Sequence, residues 1–174
     1  MCSEVSPYEL GRELRGGSSR FLKRRRNIVG LVFFSSAMLG GIALYQIGIL
    51  KKLPGPRCRG FNVEKVNGSA EAYSILRIPD ALLGILSYAV TACLTGLGGD
   101  DRSQTHPLIP LGMAMKLLAD AAIAGKLTID SYRRYQAISP WSLLTAAASF
   151  TALPLAIPEA SAAIRSLTGE GHDC

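Results

Sequence analysis

Hydrophobic residues along the chain fall into four long runs that charged residues hardly interrupt. The first run covers residues 28–50 and contains no charged residue. The others cover residues 79–97, 108–125 and 140–157. A helix needs about 20 apolar residues to cross a hydrocarbon core of roughly 30 Å. The pattern therefore predicts an all-α fold, a four-helix transmembrane bundle.

Composition and charge are typical of a membrane protein rather than of a nucleic-acid-binding protein. The 174 residues suit a single domain, and 18% of them are charged against 48% that are hydrophobic. The net charge is +6, but many basic residues gather ahead of the first run, and no aromatic residues alternate with them to stack bases. We expect membrane lipid as the anionic partner, and no nucleic acid.

The flanks of the runs predict domain limits and orientation. We expect a basic N-terminal tail over residues 1–27, a four-span domain over 28–162 and a polar C-terminal tail over 163–174. Basic residues favour the cytoplasmic side of a membrane, so both termini are predicted to be cytoplasmic. In a bacterial cell the membrane would be the inner one. Loops 51–78 and 127–138 would then face the opposite compartment. The first run is too long for a cleaved signal peptide, which indicates a retained signal anchor.

Two charged residues interrupt the third run. Lys116 and Asp120 are four residues apart, so they share one face of the predicted helix. Charges at that depth cost about 2.5–3.5 kcal/mol each on insertion scales. We expect them either to form an ion pair, with the lysine reaching toward the membrane surface, or to line a cavity or a proton path.

The four cysteines and two histidines do not form a metal-binding pattern. Cys2 and Cys174 lie in the tails, Cys93 lies within the second run, and Cys58 stands alone in the first loop. The sequence has no C-x-x-C motif, and its two histidines are far apart. We therefore predict no metal site and interpret Cys93 as a packing residue.

Four stretches of the sequence resemble one known family. Residues 63–73 read VEKVNGSAEAY and residues 78–88 read IPDALLGILSY, while residues 138–144 read ISPWSLL and residues 154–160 read PLAIPEA. The first two are similar to the outer loop and the entry of the second helix in the vitamin K epoxide reductase family, and the last two to its final helix. The order and spacing agree over residues 28–162, and the resemblance implies a four-helix bundle.

The resemblance implies quinone-linked thiol–disulfide chemistry. Family members hold a C-x-x-C pair at the outer end of the last helix, where it exchanges electrons with a quinone inside the bundle. A second cysteine pair in the outer loop exchanges electrons with a thioredoxin-like partner. Sulfur is needed because a thiolate must attack a disulfide or a quinone carbon, and because two thiols must be able to form a disulfide.

This sequence departs from the family at those positions. Ser139 and Ser142 occupy the places of the C-x-x-C cysteines, and Val63 occupies that of a loop cysteine. Cys58 can stand for the other loop cysteine, without its partner. Two serines cannot form a redox-reversible bond, so neither the electron relay nor coupling to a thioredoxin-like protein is expected. The serines mark either a natural member with lost or altered activity or an engineered cysteine-to-serine form, and Val63 favours the first.

The resemblance also marks residues for a quinone site. Asp80 falls where family members place a polar residue against the quinone oxygen, although an aspartate in the first turn also suits the free N–H groups and dipole of a helix. Trp141 and Tyr88 could stack on a quinone ring, or they could be interfacial aromatic residues. Ala146 replaces a ring-contacting tyrosine of some members. Quinone is the cofactor that the resemblance implies.

Three functions remain open from the sequence, and an enzymatic role is not decided. The preferred one is a vitamin K epoxide reductase-like membrane protein whose thiol–disulfide activity is absent or altered. The second is an active oxidoreductase in which Cys58 works with a thiol from a partner. The third is a non-enzymatic membrane adaptor, or a lipid-binding or quinone-binding protein.

Overall fold

Seven helices make up most of the computed structural model, which describes residues 6–55, 61–68 and 78–169. They are α1 (Pro7–Gly16), α2 (Arg20–Gln46), α3 (Val63–Asn67), α4 (Asp80–Gly96), α5 (Arg102–Thr105), α6 (Leu108–Tyr135) and α7 (Pro140–Leu167). Within these described ranges there is no strand, and one isolated bridge joins Phe61 to Ile138. The predicted all-α fold is confirmed.

Four of the helices form a transmembrane bundle. α2, α6 and α7 have 27, 28 and 28 residues, and each is long and apolar enough to cross a membrane. α4 is also apolar, but its 17 residues extend only about 26 Å at 1.5 Å per residue. Large apolar side chains are exposed on the outside of the bundle, where lipid would cover them: Phe33, Phe34, Leu86, Val90, Leu118, Leu144, Phe150 and Ile157. The chain is an integral membrane protein.

Small side chains on α7 let the helices approach closely. α2 packs on α7 and α4, and α6 packs on α7 and α4. The face of α7 that is buried by these neighbours consists mainly of alanine and serine, which permit short distances between helix axes. Its buried small residues are Ala146, Ala148, Ser149, Ala152, Ala156, Ala160 and Ala163. Larger side chains, among them Ile28, Met113 and Leu117, fill the space between the helices and are 1% exposed or less.

Contacts between distant segments show which helix ends lie together. At one end, Arg25 near the start of α2 bonds to Glu159 late in α7, and Arg102 in the turn between α4 and α6 bonds to the same carboxylate. At the other end, Asn67 of α3 donates a hydrogen bond to Ser139 at the start of α7. The start of α2 and the end of α7 therefore lie at the same end of the bundle, as four crossings require.

α6 is longer than the hydrophobic pattern predicts. The third run ends at residue 125 and residues 127–138 are predicted to be a loop, but α6 continues to Tyr135, so the loop prediction was wrong for most of that segment. No glycine or proline lies between residues 126 and 138 to stop the helix. It ends at Gln136, whose φ of 49° lies in the left-handed region typical of a helix C-terminus.

α7 also continues past its predicted end. The fourth run was bounded at residue 157, but the helix passes through Pro154 and Pro158 and reaches Leu167, inside the predicted C-terminal tail. A proline removes one backbone donor from a helix. Helices in membranes tolerate this loss because neighbouring helices and polar side chains satisfy the freed carbonyl groups.

The basic N-terminal segment is helical as well. α2 begins at Arg20 because Ser19 caps it, with the serine side chain accepting a hydrogen bond from the Leu22 N–H at 3.1 Å. α1 is attached to the turn after α4, where the Asp100 N–H donates to Glu13 at 2.8 Å. Residues of the predicted N-terminal tail therefore form a helix, α1, that is bonded to this end of the bundle.

Candidate functional site

Two residues of the predicted quinone site and one of the predicted redox positions line the same cavity in the bundle. Asp80 at the start of α4, Tyr88 two turns later and Ser142 in the first turn of α7 all line it. Its volume is about 420 Å³, within the range of about 300–1,000 Å³ of small-molecule sites. Its apolar wall consists of Leu39, Ile42, Val66, Ala81, Ile123, Ala124 and Leu127. Helices α2, α3, α4, α6 and α7 all contribute to the cavity.

Asp80 presents an unsatisfied oxygen in this cavity. It is the first residue of α4, and that helix has no side-chain capping hydrogen bond. Its Oδ1 atom is buried and has no hydrogen-bond partner in the described part of the chain. The capping interpretation therefore holds only for the helix dipole, since the carboxylate bonds to no N–H group of the first turn. A buried acceptor without a donor is costly, which makes this oxygen a candidate ligand contact.

Tyr88 forms a wall of the cavity, and its hydroxyl is already used inside the bundle. The side chain is 6% exposed, and its hydroxyl lies 2.6 Å from Ser149 Oγ. Ser149 in turn donates to the Thr145 carbonyl at 3.0 Å. This bond links α4 to α7 and holds the ring in place, so Tyr88 offers a ligand its ring rather than a free hydroxyl.

The two serines at the predicted redox positions have different surroundings. Ser139 is fully buried and accepts a hydrogen bond from the Asn67 side chain at 2.9 Å, which fastens α3 to the start of α7. Ser142 lines the cavity. Of the two positions, only residue 142 is therefore placed against a cavity ligand, while residue 139 faces the loop.

Trp141, for which a quinone ring contact was predicted, is not among the residues that line the cavity. Its indole N–H donates to the Pro54 carbonyl at 2.8 Å, and its ring lies on Gly41 of α2. A Cβ atom on Gly41 would come within 2.6 Å of the Trp141 ring, so this approach requires glycine. Ser142 follows directly in the helix and turns toward the cavity, because neighbouring residues of a helix face different directions.

The predicted ion pair in the third span is confirmed. Lys116 Nζ lies 2.5 Å from Asp120 Oδ1, and the two carboxylate oxygens also accept hydrogen bonds from Ser87 at 2.8 Å and from Thr91 at 2.7 Å. Lys116 is partly exposed, while Asp120 is buried and lines the cavity. The ion pair and the cavity lining, given as alternatives from the sequence, therefore occur in one cluster. This cluster joins α4 to α6 and leaves Asp120 fully paired.

The model of the vitamin K epoxide reductase family matches residues 27–157, three quarters of the chain. The chain belongs to the vitamin K epoxide reductase family. No curated protein and no solved structure matches it. The family resemblance from the sequence is confirmed, and with it the membrane bundle.

The cavity of this vitamin K epoxide reductase-family chain fits a quinone ring in size, with one chemical difference. The apolar wall and the Tyr88 ring suit a planar aromatic molecule. The polar contact at Asp80 is a carboxylate, which when ionised only accepts hydrogen bonds. The oxygen atoms of a quinone also only accept them, so this contact does not match the oxidised ring.

The outer loop gives a partial view of the predicted loop relay. Val63, at the predicted position of a family cysteine, is the first residue of α3 and is buried. Cys58, the possible loop thiol, lies outside the described residues, as do Cys2 and Cys174. Cys93 is exposed on the outside of α4 and is free. Its predicted role in packing was therefore wrong, because its side chain faces the lipid side of the bundle rather than a neighbouring helix.

The sequence interpretation missed a buried charge cluster at the opposite end of the bundle. Glu159 is 2% exposed and accepts hydrogen bonds from Arg25 Nε at 3.0 Å and from Arg102 Nε at 2.7 Å. Burial lowers the pKa of the Arg102 guanidinium, and the hydrogen bonds and charge of Glu159 oppose that shift. An acidic residue inside an apolar helix was the available signal, but its partners are 57 and 134 positions away.

Arg102 also closes the end of α4. It donates to the carbonyl groups of Leu94, Thr95 and Leu97, at 2.9, 3.2 and 2.6 Å. These carbonyls belong to the last turn of the helix and its cap, where no intrahelical donors remain. The Glu159 carboxylate therefore joins α2 and α5 to α7, and Arg102 joins this cluster to α4 through the carbonyl groups. Among the described residues, no group of three potential metal ligands occurs.

Proposed function

We propose that this protein binds a quinone-type ring in the cavity of its bundle and does not carry out the thiol–disulfide exchange of its family. One observation carries the proposal: Asp80 and Tyr88 of α4 line the same cavity of about 420 Å³ as Ser142 at the start of α7. When bound there, a quinone would supply an acceptor for two electrons and two protons. The chain's own residues would provide the apolar walls, the Tyr88 ring and polar contacts at Asp80 and Ser142.

The serines support the second half of the proposal. A serine hydroxyl stays protonated at neutral pH unless a base activates it, and it cannot form a reversible disulfide. Ser139 is bonded to the Asn67 amide, which donates to it and is not a base. No described residue near either serine supplies a thiol. We therefore infer that no electrons pass through residues 139 and 142.

We also propose that both termini are cytoplasmic, on the basis of the basic residues at the start of α2. A thiol-specific, membrane-impermeant reagent applied to intact cells should then label Cys58 and leave Cys2 and Cys174 unlabelled until the membrane is opened. Single-cysteine variants make each signal assignable. Labelling of the tails with Cys58 silent would reverse the orientation.

The test of function restores the sulfur atoms. In the double variant Ser139→Cys, Ser142→Cys, dithiothreitol should keep the pair reduced, and the dithiol should pass two electrons to a short-chain quinone, forming a disulfide and a hydroquinone. We expect measurable quinone reduction by the purified double variant and none by the parent protein. Ser139→Cys alone is the matched control, because one thiol cannot close the disulfide.

The outcomes separate the open functions. Thiol-dependent quinone reduction by the parent protein would instead favour the second function, an active oxidoreductase that uses Cys58. Reduction that persists in the parent protein after its thiols are alkylated would contradict the loss of activity with the sulfurs. A double variant that neither reduces nor binds quinone would show that the cavity is not a quinone site, and the membrane adaptor would then be preferred.

A further inference from the structure

The polar groups around the cavity are not equally available to a ligand. Asp120 already accepts bonds from Ser87, Thr91 and Lys116, and Tyr88 is bonded to Ser149. Thr128 donates to its own helix at the Ala124 carbonyl. The polar atoms of these side chains already have hydrogen-bond partners within the protein, so they do not determine what the cavity binds.

Asp80 is different because its Oδ1 atom is buried and unpartnered in the described structure. Ser142, in the first turn of the facing α7, adds a hydroxyl that can donate or accept. Both residues lie at the end of the cavity formed by the starts of α4 and α7. A ligand that reaches this end meets an acceptor that needs a donor.

The carboxylate separates two oxidation states of the same ring. A quinone presents carbonyl oxygens, which accept hydrogen bonds and would face the Asp80 oxygen without a proton between them. A hydroquinone or a phenol presents O–H groups, which donate to a carboxylate in a charge-assisted bond. Leaving a buried acceptor unpaired is what makes such sites discriminate against a ligand that lacks the donor.

We infer that the cavity binds the reduced, hydroxyl-bearing form of an aromatic ring in preference to the oxidised quinone. In this complex the ligand hydroxyl donates a hydrogen bond to the Asp80 carboxylate. The inference rests on the proposed function, since it concerns the same cavity. It adds to that function a preference between oxidation states: the protein holds a hydroquinone or phenol and releases the quinone. Asp80 is the residue that sets this selectivity.

The test uses a redox-stable pair of probes on the full-length protein in detergent. 1-Naphthol carries the hydroxyl and 1-methoxynaphthalene carries a methyl group in its place, while 1,4-naphthoquinone represents the oxidised ring. Isothermal titration calorimetry gives the three dissociation constants. We expect 1-naphthol to bind about tenfold or more tightly than its methyl ether, the range of one hydrogen bond to a charged group.

Two variants assign the preference to one carboxylate. Asp80→Asn replaces an acceptor by a group that also donates, so the preference for 1-naphthol should fall to about threefold or less and 1,4-naphthoquinone should bind more tightly. Glu64→Gln makes the same change at a carboxylate of α3, at the same end of the bundle but outside the cavity lining, and should keep the preference. The added methyl group is the same in every titration, so the change in the ratio measures the hydrogen bond.

Each result decides something. Equal binding of naphthol and its ether to the parent protein, together with binding of naphthoquinone, would overturn the inference and leave the proposed function standing. An equal loss of preference in Glu64→Gln would also overturn it, because the effect would then come from net charge and not from a contact with Asp80. Failure of all three probes to bind would overturn the proposed function as well.

Discussion

Replacing Glu159 by glutamine is the sharpest test of how the bundle is held at its N-terminal end. The change keeps the size of the side chain and removes its charge. Arg25 and Arg102, 3% and 0% exposed, would then face each other without the carboxylate that separates them. A glutamine oxygen could accept only part of the five guanidinium contacts at 2.5–3.2 Å that Arg25 and Arg102 make with Glu159.

The expected loss follows from this geometry. Removing one partner of a buried ion pair costs about 3–5 kcal/mol, because an uncompensated charge stays buried. We expect Glu159→Gln to fall in that range, which is about 10²–10⁴ in the unfolding equilibrium constant. Arg25→Met should cost less, since Arg102 and Glu159 remain as a neutral pair. The order of the two variants is therefore part of the prediction.

Unfolding by sodium dodecyl sulfate in dodecylmaltoside micelles, followed by the helical circular dichroism signal, gives the free energies. Glu9→Gln, an identical chemical change on the exposed side of α1, serves as the control and should unfold like the parent protein. If Glu159→Gln unfolds at the same detergent ratio as the control, the buried cluster does not stabilise the bundle. A larger loss for Arg25→Met than for Glu159→Gln would refute the charge argument.

Two further substitutions test contacts inside the bundle. Gly41→Ala should displace the Trp141 ring, shift its fluorescence and lower stability by about 1–3 kcal/mol, because the new Cβ would lie 2.6 Å from the ring. Gly40→Ala, with open space at its Cβ, should leave the emission unchanged; identical spectra for both variants would contradict the contact. Lys116→Met should destabilise the protein by about 2 kcal/mol in the same detergent titration. This loss is smaller than that for removing a partner from a fully buried ion pair, because Asp120 keeps two hydroxyl donors. No loss would show that the pair contributes nothing.

Several elements were predictable because their signal lies within one helix. The apolar runs located the four long helices, since their length and composition suit a bilayer. The four-residue spacing of Lys116 and Asp120 predicted their ion pair, which is confirmed. The resemblance marked Asp80, Tyr88 and Trp141 for a quinone and Ser139 and Ser142 as redox positions. Asp80, Tyr88 and Ser142 line one cavity, whereas Trp141 and Ser139 do not line it. Their roles there remain predictions.

Other features depend on contacts that no local pattern carries. The burial of Glu159 depends on two arginines, each more than 50 positions away in the chain. The direction of Trp141 depends on a gap left by a glycine in another helix. The continuation of α7 through Pro154 and Pro158 depends on neighbours that make a missing backbone bond tolerable. Sequence periodicity describes which face of a helix is apolar, and it does not say what that face meets.

Quinone binding to the unmodified protein tests the central claim most directly. Trp141 is the only tryptophan and is next to Ser142 of the cavity, so quenching of its fluorescence by a short-chain quinone reports binding. Ala124 lines the cavity, whereas Ala122 on the same helix is exposed on the outer face. We predict saturable quenching of the parent protein and of Ala122→Phe, and at least about tenfold weaker binding by Ala124→Phe, whose ring would occupy the cavity. Quenching that does not saturate, or that is equally strong in Ala124→Phe, would contradict the claim that this cavity is the quinone site.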